Sequence, residues 1–207
     1  MKIAVLGSTG RTGRLLVARS LARGHDVVAL ARRPEQVGPH PAGSLRVARA
    51  DVGDPGSVRA AVEGADVVLS GLGVTGKQDP AILVDGAREV ASAGVRVIWL
   101  ASLGMGGTEG ALGAVGGALV RRVLRREWDA KRISGRTVRE AGGTAVHAGP
   151  LTDRPYRGGG RLLRAGAFGP RAIPPRASRE GVAALMVAEA ETPCFVDEDT
   201  VALFDGR

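Results

Sequence analysis

The sequence predicts a single α/β domain built on a mainly parallel, doubly wound sheet. Short apolar runs alternate with longer segments whose apolar residues recur at helical spacing, the pattern of a parallel sheet covered by helices. The first run, Ile3 to Leu6, passes straight into a turn with glycine at positions 7, 10 and 13. A helix-patterned segment follows, Arg14 to Arg23, and Gly24 stops it. The chain of 207 residues is long enough for one sizeable core, and it shows no internal repeat or metal-ligand cluster.

Composition narrows the class. The apolar share of 44% is that of a globular protein, with a low aromatic share of 3%. No apolar run free of charge is long enough to span a bilayer, so no membrane partner is expected. Met1-Lys2 leads directly into the first strand, so no signal peptide is read there, and a lone cysteine, Cys194, allows no internal disulfide. Both suit a reducing cytoplasm. The net charge of +8 comes mostly from scattered arginines and reads as a solvated basic surface. No helix-turn-helix or zinc pattern points to nucleic acid, and the one concentrated run is Arg121-Arg122-Val123-Leu124-Arg125-Arg126.

The glycine turn, Gly7-Ser8-Thr9-Gly10-Arg11-Thr12-Gly13, sits between a strand and a helix, the order a dinucleotide-binding unit needs. Gly7 permits a sharp exit from the strand, Gly10 lets backbone approach a pyrophosphate, and Gly13 lets the helix pack close to the sheet. The first helical turn then offers N–H groups and a positive dipole end to phosphates. The spacing Gly-x-x-Gly-x-x-Gly resembles the signature of atypical short-chain dehydrogenases/reductases. Within them it is most similar to the small NAD(P)H-binding, NmrA-like branch that includes biliverdin-IXβ/flavin reductases. The resemblance implies a doubly wound Rossmann domain over residues 1–207, with a small C-terminal substrate lobe at about 150–177 and 192–207.

The second strand, Asp26 to Ala31, should end beside the adenosine ribose. An acid there would signal NAD; the chain instead has Arg32-Arg33. Guanidinium groups match a phosphate bidentately, so NADP is favoured, with NAD possible, and Arg11 could join the same phosphate site. Pro39, Pro41 and Gly43 read as a loop before the third strand, Leu45 to Ala50. Asp51 and Val52 follow. The resemblance places them along the adenine; the plain alternative is a polar strand end, and both readings stand. Asp54 is expected to cap a helix from Pro55 to Glu63.

The fourth strand, Ala65 to Ser70, ends in Gly71-Leu72-Gly73, small enough for a cofactor backbone to lie close. Relatives bind the nicotinamide-side ribose near here. Pro80 to Ala93 reads as an amphipathic helix with Ile82, Leu83, Gly86 and Val90 on one face. The fifth strand, Val95 to Ala101, runs into Ser102. The resemblance puts Ser102 beside nicotinamide and substrate, where its hydroxyl can donate to a substrate oxygen or nitrogen. Residues Leu103 to Gly117 are glycine-rich and show no obvious element: either a mobile lid, with Met105 and Leu112 touching an apolar ligand, or a loose loop.

Ala118 to Glu140 reads as helix with a possible break. Short-chain dehydrogenases carry Tyr-x-x-x-Lys in this region, the tyrosine moving the proton and the lysine lowering its pKa and holding the ribose. Here Lys131 is preceded at that spacing by Glu127, and the only tyrosine, Tyr156, lies downstream. Lys131 is either the family lysine or a solvated helix residue. The missing tyrosine argues against alcohol dehydrogenation and leaves two options. One is hydride transfer to a planar conjugated acceptor that needs no enzyme acid; the other is NADP binding without turnover, as in a redox-sensing regulator.

The sixth strand, Gly143 to Ala148, exits through Gly149-Pro150-Leu151-Thr152-Asp153, which resembles the family segment flanking the nicotinamide amide, with Pro150 as the cofactor contact. His147 in its apolar strand reads as structural. Arg154 to Pro175 is expected to form the substrate-side wall with Tyr156 and Phe168. Ser178 should cap a helix running to about Glu191 with Glu180 in its first turn, a stretch that also resembles the family. Cys194 to Val196 and Thr200 to Phe204 read as final short strands. A monomer or a homodimer is expected.

Overall fold

The computed structural model describes residues 1–38, 44–54, 56–171 and 173–204. The predicted loop at Pro39, Pro41 and Gly43 lies outside these residues, as does Pro55. Ten strands and six helices of four or more residues follow the expected alternation among the described residues. Strands β1 (Lys2–Leu6), β2 (Asp26–Ala31), β3 (Leu45–Arg49), β4 (Val67–Ser70), β5 (Arg96–Ser102) and β6 (Thr144–Ala148) all run parallel. Helices α1 (Arg11–Ala22), α2 (Ser57–Ala61), α3 (Ala81–Ala91), α4 (Gly113–Val123), α5 (Trp128–Glu140) and α6 (Arg179–Glu191) cover the faces. The eight-stranded sheet has the order β3-β2-β1-β4-β5-β6-β10-β8. Its strand order reverses between β1 and β4, the crevice where open α/β sheets bind ligands.

The sheet is covered on both sides, so its central strands are apolar throughout. In β1, Ile3 and Val5 join one core with Leu16 and Val17 of α1 and Val182 and Met186 of α6. Ala4 and Leu6 face the other core, with Val58 of α2, Ala87 and Val90 of α3 and Val138 of α5. Each fully buried valine, leucine, isoleucine or methionine among them contributes roughly 1.5–3 kcal/mol. The expected face of α3 is largely the buried one: Leu83, Gly86, Ala87 and Val90 are inside, with Ile82 at its margin.

The C-terminal third departs from the expected lobe. β10 (Asp199–Phe204) inserts parallel to β6, and β8 (Gly160–Arg164) adds antiparallel outside it, so both extend the main sheet. A separate two-stranded sheet pairs β7 (Leu151–Thr152) with β9 (Ala177–Ser178). Residues 194–196 form no strand. Buried Glu189 of α6 accepts the amides of Cys194 and Phe195 and pairs with Arg96 at 2.6 Å, which binds that segment to side chains. Phe168 is buried in a third cluster with Leu103, Leu112, Val201 and Leu203, and Tyr156 packs edge-on against Phe204.

Several boundaries moved: α1 begins at Arg11 rather than Arg14 and α4 at Gly113 rather than Ala118, and two further shifts have clear local reasons. α2 is shorter than expected and begins after Gly56, whose φ of +82° ends the preceding turn. The Asp54 side chain does not cap it; only the Asp54 carbonyl accepts, from Ser57 N–H. The long helical stretch is two helices, α4 and α5, separated at residues 124–127. The glycine-rich segment is more ordered than its composition suggests. Thr108 Oγ1 accepts the amides of Gly104 and Met105 and donates to the Met105 carbonyl, tying a short 3-10 turn over the sheet. Leu112 is core rather than a ligand contact. Ser178 does cap α6, accepting from Gly181 N–H at 3.4 Å.

Candidate functional site

The functional residues expected from sequence gather at the carboxyl ends of the parallel strands. The β1–α1 turn is built from backbone alone. Gly7 takes φ +73°, and Gly10 N–H donates to the Gly7 carbonyl at 2.9 Å. A Cβ on Gly13 would lie 2.0 Å from the Gly7 oxygen, and one on Gly71 would lie 3.0 Å from Gly13 N. The exits of β1 and β4 therefore pack on each other without side chains. Gly10 caps α1 with no side-chain hydrogen bond, leaving the first-turn amides free to meet an anion. Free amides at a helix start are groups that can take an anionic ligand.

Neighbouring side chains sort into several groups. Ser8 spends its hydroxyl on the Leu30 carbonyl at 2.7 Å, so it fixes the turn to β2, and Thr12 is buried beneath α1. Thr9 is half-buried at the turn. Arg32 and Arg33 stand exposed just past β2 and form no ion pair with a described residue. Arg49, at the end of β3, is the register partner of Ala31 and adds a third exposed guanidinium to this rim. Sequence reading missed Arg49 because only the strand register places it beside Arg32.

Arg11 does not join that rim. It forms an ion pair with Asp153, which also binds Arg179 at 2.7 Å, so Arg11 turns toward α6. Asp51 uses its carboxylate to accept Gly53 N–H at 3.1 Å, while its own N–H donates to Ser57 Oγ. Val52 packs into the core beside Gly86. Their side-chain contacts are those of a strand end. Gly71, Leu72 and Gly73 line the β4 exit, and Leu72 lies against both Gly7 and Gly86. Pro150 is exposed, and its carbonyl accepts from Ala177 N–H.

A cleft of about 390 Å³ opens beyond β5, between α5 and the glycine-rich segment. Ser102, Lys131 and His147 line it together, with Ala101, Met105 and Asp199. The sequence-predicted pair Ser102 and Lys131 thus meets at one site. Glu127, one helical turn before Lys131, pairs with it at 3.5 Å, so a carboxylate stands where the resemblance leads one to expect a phenol. Farther along α5, a hydrogen bond to Glu140 raises the Arg136 guanidinium above its ordinary value.

His147 is not an isolated core residue. Its Nε2 lies 2.7 Å from Asp199 Oδ1, and its Nδ1 lies 3.0 Å from the Ser102 carbonyl and 3.2 Å from Thr108 Oγ1. Asp199 Oδ2 forms an ion pair with Arg139 Nε at 3.0 Å. Both ring nitrogens are occupied by protein, so His147 holds β5, β10 and the Thr108 turn together rather than presenting a free N–H to the cleft. The Asp199 partner lay beyond sequence reasoning, because β10 reaches β6 only through the sheet topology.

The NAD(P)H-binding family profile matches residues 7–193. An uncharacterised protein of Mycobacterium tuberculosis is 41% identical over 93 residues, 45% of this chain, and the match spans 10% of that protein's length. A short-chain dehydrogenase/reductase of Veillonella parvula, solved in complex with NADP, superposes with a TM-score of 0.80 at 18% identity, covering 99% of this chain and 95% of that one. An anaerobillin reductase of Escherichia coli O157:H7 superposes with a TM-score of 0.80 at 20% identity, covering 100% and 98%. These structural likenesses establish the Rossmann-type fold. No helix among the described residues is long and apolar enough to cross a membrane. With a glycine cradle at the strand-order reversal and a profile match over nearly its whole length, the chain belongs to the NAD(P)H-binding family.

Proposed function

We propose that the protein is an NADPH-dependent reductase of a small, planar, conjugated acceptor. The observation that carries this reading is one continuous edge: the glycine cradle, the β4 exit at Gly71 and the Ser102–Lys131 cleft lie on successive strand ends. The residues fit the dinucleotide, because Gly7, Gly10, Gly13 and Gly71 themselves put no side chain at the seat. Bound NADPH supplies a hydride.

The remaining contributions belong to the chain. Gly10 and the first-turn amides of α1 hold the pyrophosphate, and Arg32 and Arg33 hold the 2′-phosphate. Ser102 donates a hydrogen bond to the acceptor as its charge changes. Lys131, paired with Glu127, faces the ribose side of the cleft. Glu127 in the tyrosine position supplies no phenol, which fits an acceptor protonated by solvent. The same substitution supports a second reading, an NADPH-binding regulator without turnover. A protein located in the cytoplasm and acting alone or as a homodimer suits either.

Calorimetric titration with NADPH and NADH, comparing wild type with Arg32→Ala, tests the seat. A loss of about 1.5–3 kcal/mol for NADPH only is expected for charged hydrogen bonds to the phosphate. Equal affinity of the two cofactors for wild type overturns the arginine assignment. NADPH oxidation screened against flavins and quinones then separates reductase from regulator, since a regulator binds without turnover.

A further inference from the structure

We infer that Arg126 is a positioning residue for the cofactor, acting through the loop that follows β4; this rests on the reading of the strand-end edge as an NADPH seat. Arg126 lies in the break between α4 and α5, one residue before Glu127. Its Nη1 donates to the Gly76 carbonyl at 3.1 Å, and its Nη2 donates to the Lys77 and Gln78 carbonyls at 3.0 and 2.8 Å. Three consecutive carbonyls thus converge on one guanidinium. The loop is shaped for this: Gly76 takes φ +61°, and the Gln78 side chain accepts both the Thr75 amide and hydroxyl at 3.0 Å.

The loop begins at Gly71 and Leu72, which touch the backbone of Gly7 and Gly13. Its far end is held by Arg126, beside the helix that carries Lys131. A dinucleotide reaching from the glycine turn to Ser102 passes along this segment. Carbonyls pointed at Arg126 keep the loop in one conformation before the cofactor arrives, so binding need not order it. The planar fork of arginine suits this task, since it reaches the three carbonyls from two nitrogens, whereas a lysine carries its three donors on one. The arginine run read from sequence therefore splits in use. Arg126 holds the loop and Arg121 stacks over Trp128 at 5.6 Å, while Arg122 and Arg125 stay exposed.

The test uses the full chain, with Arg126→Gln and Arg126→Lys. The protein has three lysines, at 2, 77 and 131, so a lysine-specific protease reports loop opening as cleavage after Lys77. Three readouts are compared: NADPH dissociation constant, cleavage rate after Lys77, and melting temperature. Arg126→Gln should weaken NADPH about five- to twentyfold and speed cleavage by a similar factor, with melting little changed. Arg126→Lys should fall between it and wild type, and saturating NADPH should slow cleavage of both variants. Wild-type NADPH affinity in Arg126→Gln overturns the inference whatever the cleavage rate, and weakened NADPH with unchanged cleavage overturns the loop as the route. If Arg126→Gln does not fold, the Lys variant is judged on the same criteria. Failure of wild type to bind NADPH would overturn the cofactor reading itself, and the inference with it.

Discussion

Gly10→Ala and Gly13→Ala each add one methyl group to the same turn, and the structure separates their consequences. At Gly13 the new carbon would stand 2.0 Å from the Gly7 oxygen, 2.7 Å from its carbonyl carbon and 2.9 Å from Ser8 Cα. All three are backbone atoms, so relief requires the start of α1 to move off the sheet by about 1 Å, the gap between 2.0 Å and the 3.0 Å limit of real contacts. Overpacking costs about 1–3 kcal/mol, and the upper end applies where no side chain can yield. For a chain of this size that lowers Tm by about 6–12 °C. At Gly10 the backbone is ordinary, with φ −72°, and the nearest atom is the Gly7 oxygen at 3.2 Å. Alanine there costs less than about 1 kcal/mol through the weaker cap. Its methyl group nevertheless points into the gap toward the Gly71 oxygen, where phosphates approach. Scanning fluorimetry and calorimetry on both variants should show a destabilised Gly13→Ala. Gly10→Ala should melt near wild type but bind NADPH more than about tenfold more weakly. Wild-type NADPH affinity in Gly10→Ala, or an unshifted Tm in Gly13→Ala, would refute the geometry of the seat.

Further outcomes follow from single contacts. Ser102→Ala should lower turnover of any acceptor found by about ten- to a hundredfold while leaving NADPH affinity unchanged, measured by steady-state kinetics and calorimetry. His147→Leu removes the hydrogen bonds linking Asp199, Ser102 and Thr108, and should cost about 2–4 kcal/mol in denaturant unfolding; a loss below about 0.5 kcal/mol would mean the triad carries no strain-bearing link. Glu191 has its carboxyl pKa lowered below its ordinary 4.5, first by the hydrogen bond from Arg23, with His25 also contributing. A depressed folded pKa stabilises above the unfolded value and is lost as pH falls through the folded one. Glu191→Gln should therefore cost about 0.5–1 kcal/mol at pH 7, a modest value because Arg23 is half exposed, and the gap to wild type should close below pH 4.5.

What the sequence made legible was local. The turn at residues 7–13 announces itself because strand period, glycine spacing and helix period meet within a dozen residues, and the structure keeps all three. The α6 cap at Ser178 was readable for the same reason. Contacts that depend on register were hidden. Asp199 meets His147 only because β10 returns to lie parallel beside β6, and nothing near either residue encodes that return. Arg11 looked like a phosphate ligand by its place in the turn, yet Asp153, brought back by β7, claims it. The glycine-rich segment was misjudged from composition, since one buried hydroxyl, that of Thr108, satisfies enough amides to order it.

The seat and the rim of this site differ in what they tolerate. Between Gly7, Gly13 and Gly71 every approach is backbone against backbone, so none of the three can gain a side chain without the backbone moving. Arg32, Arg33 and Arg49 are exposed and form no ion pair with a described residue, so exchanging one of them disturbs little of the fold. On the proposed reading, the residues that hold a dinucleotide are thus distinct from those that choose which dinucleotide is held. On that reading, Arg32→Asp should shift preference toward NADH in calorimetric titration while Tm stays near wild type.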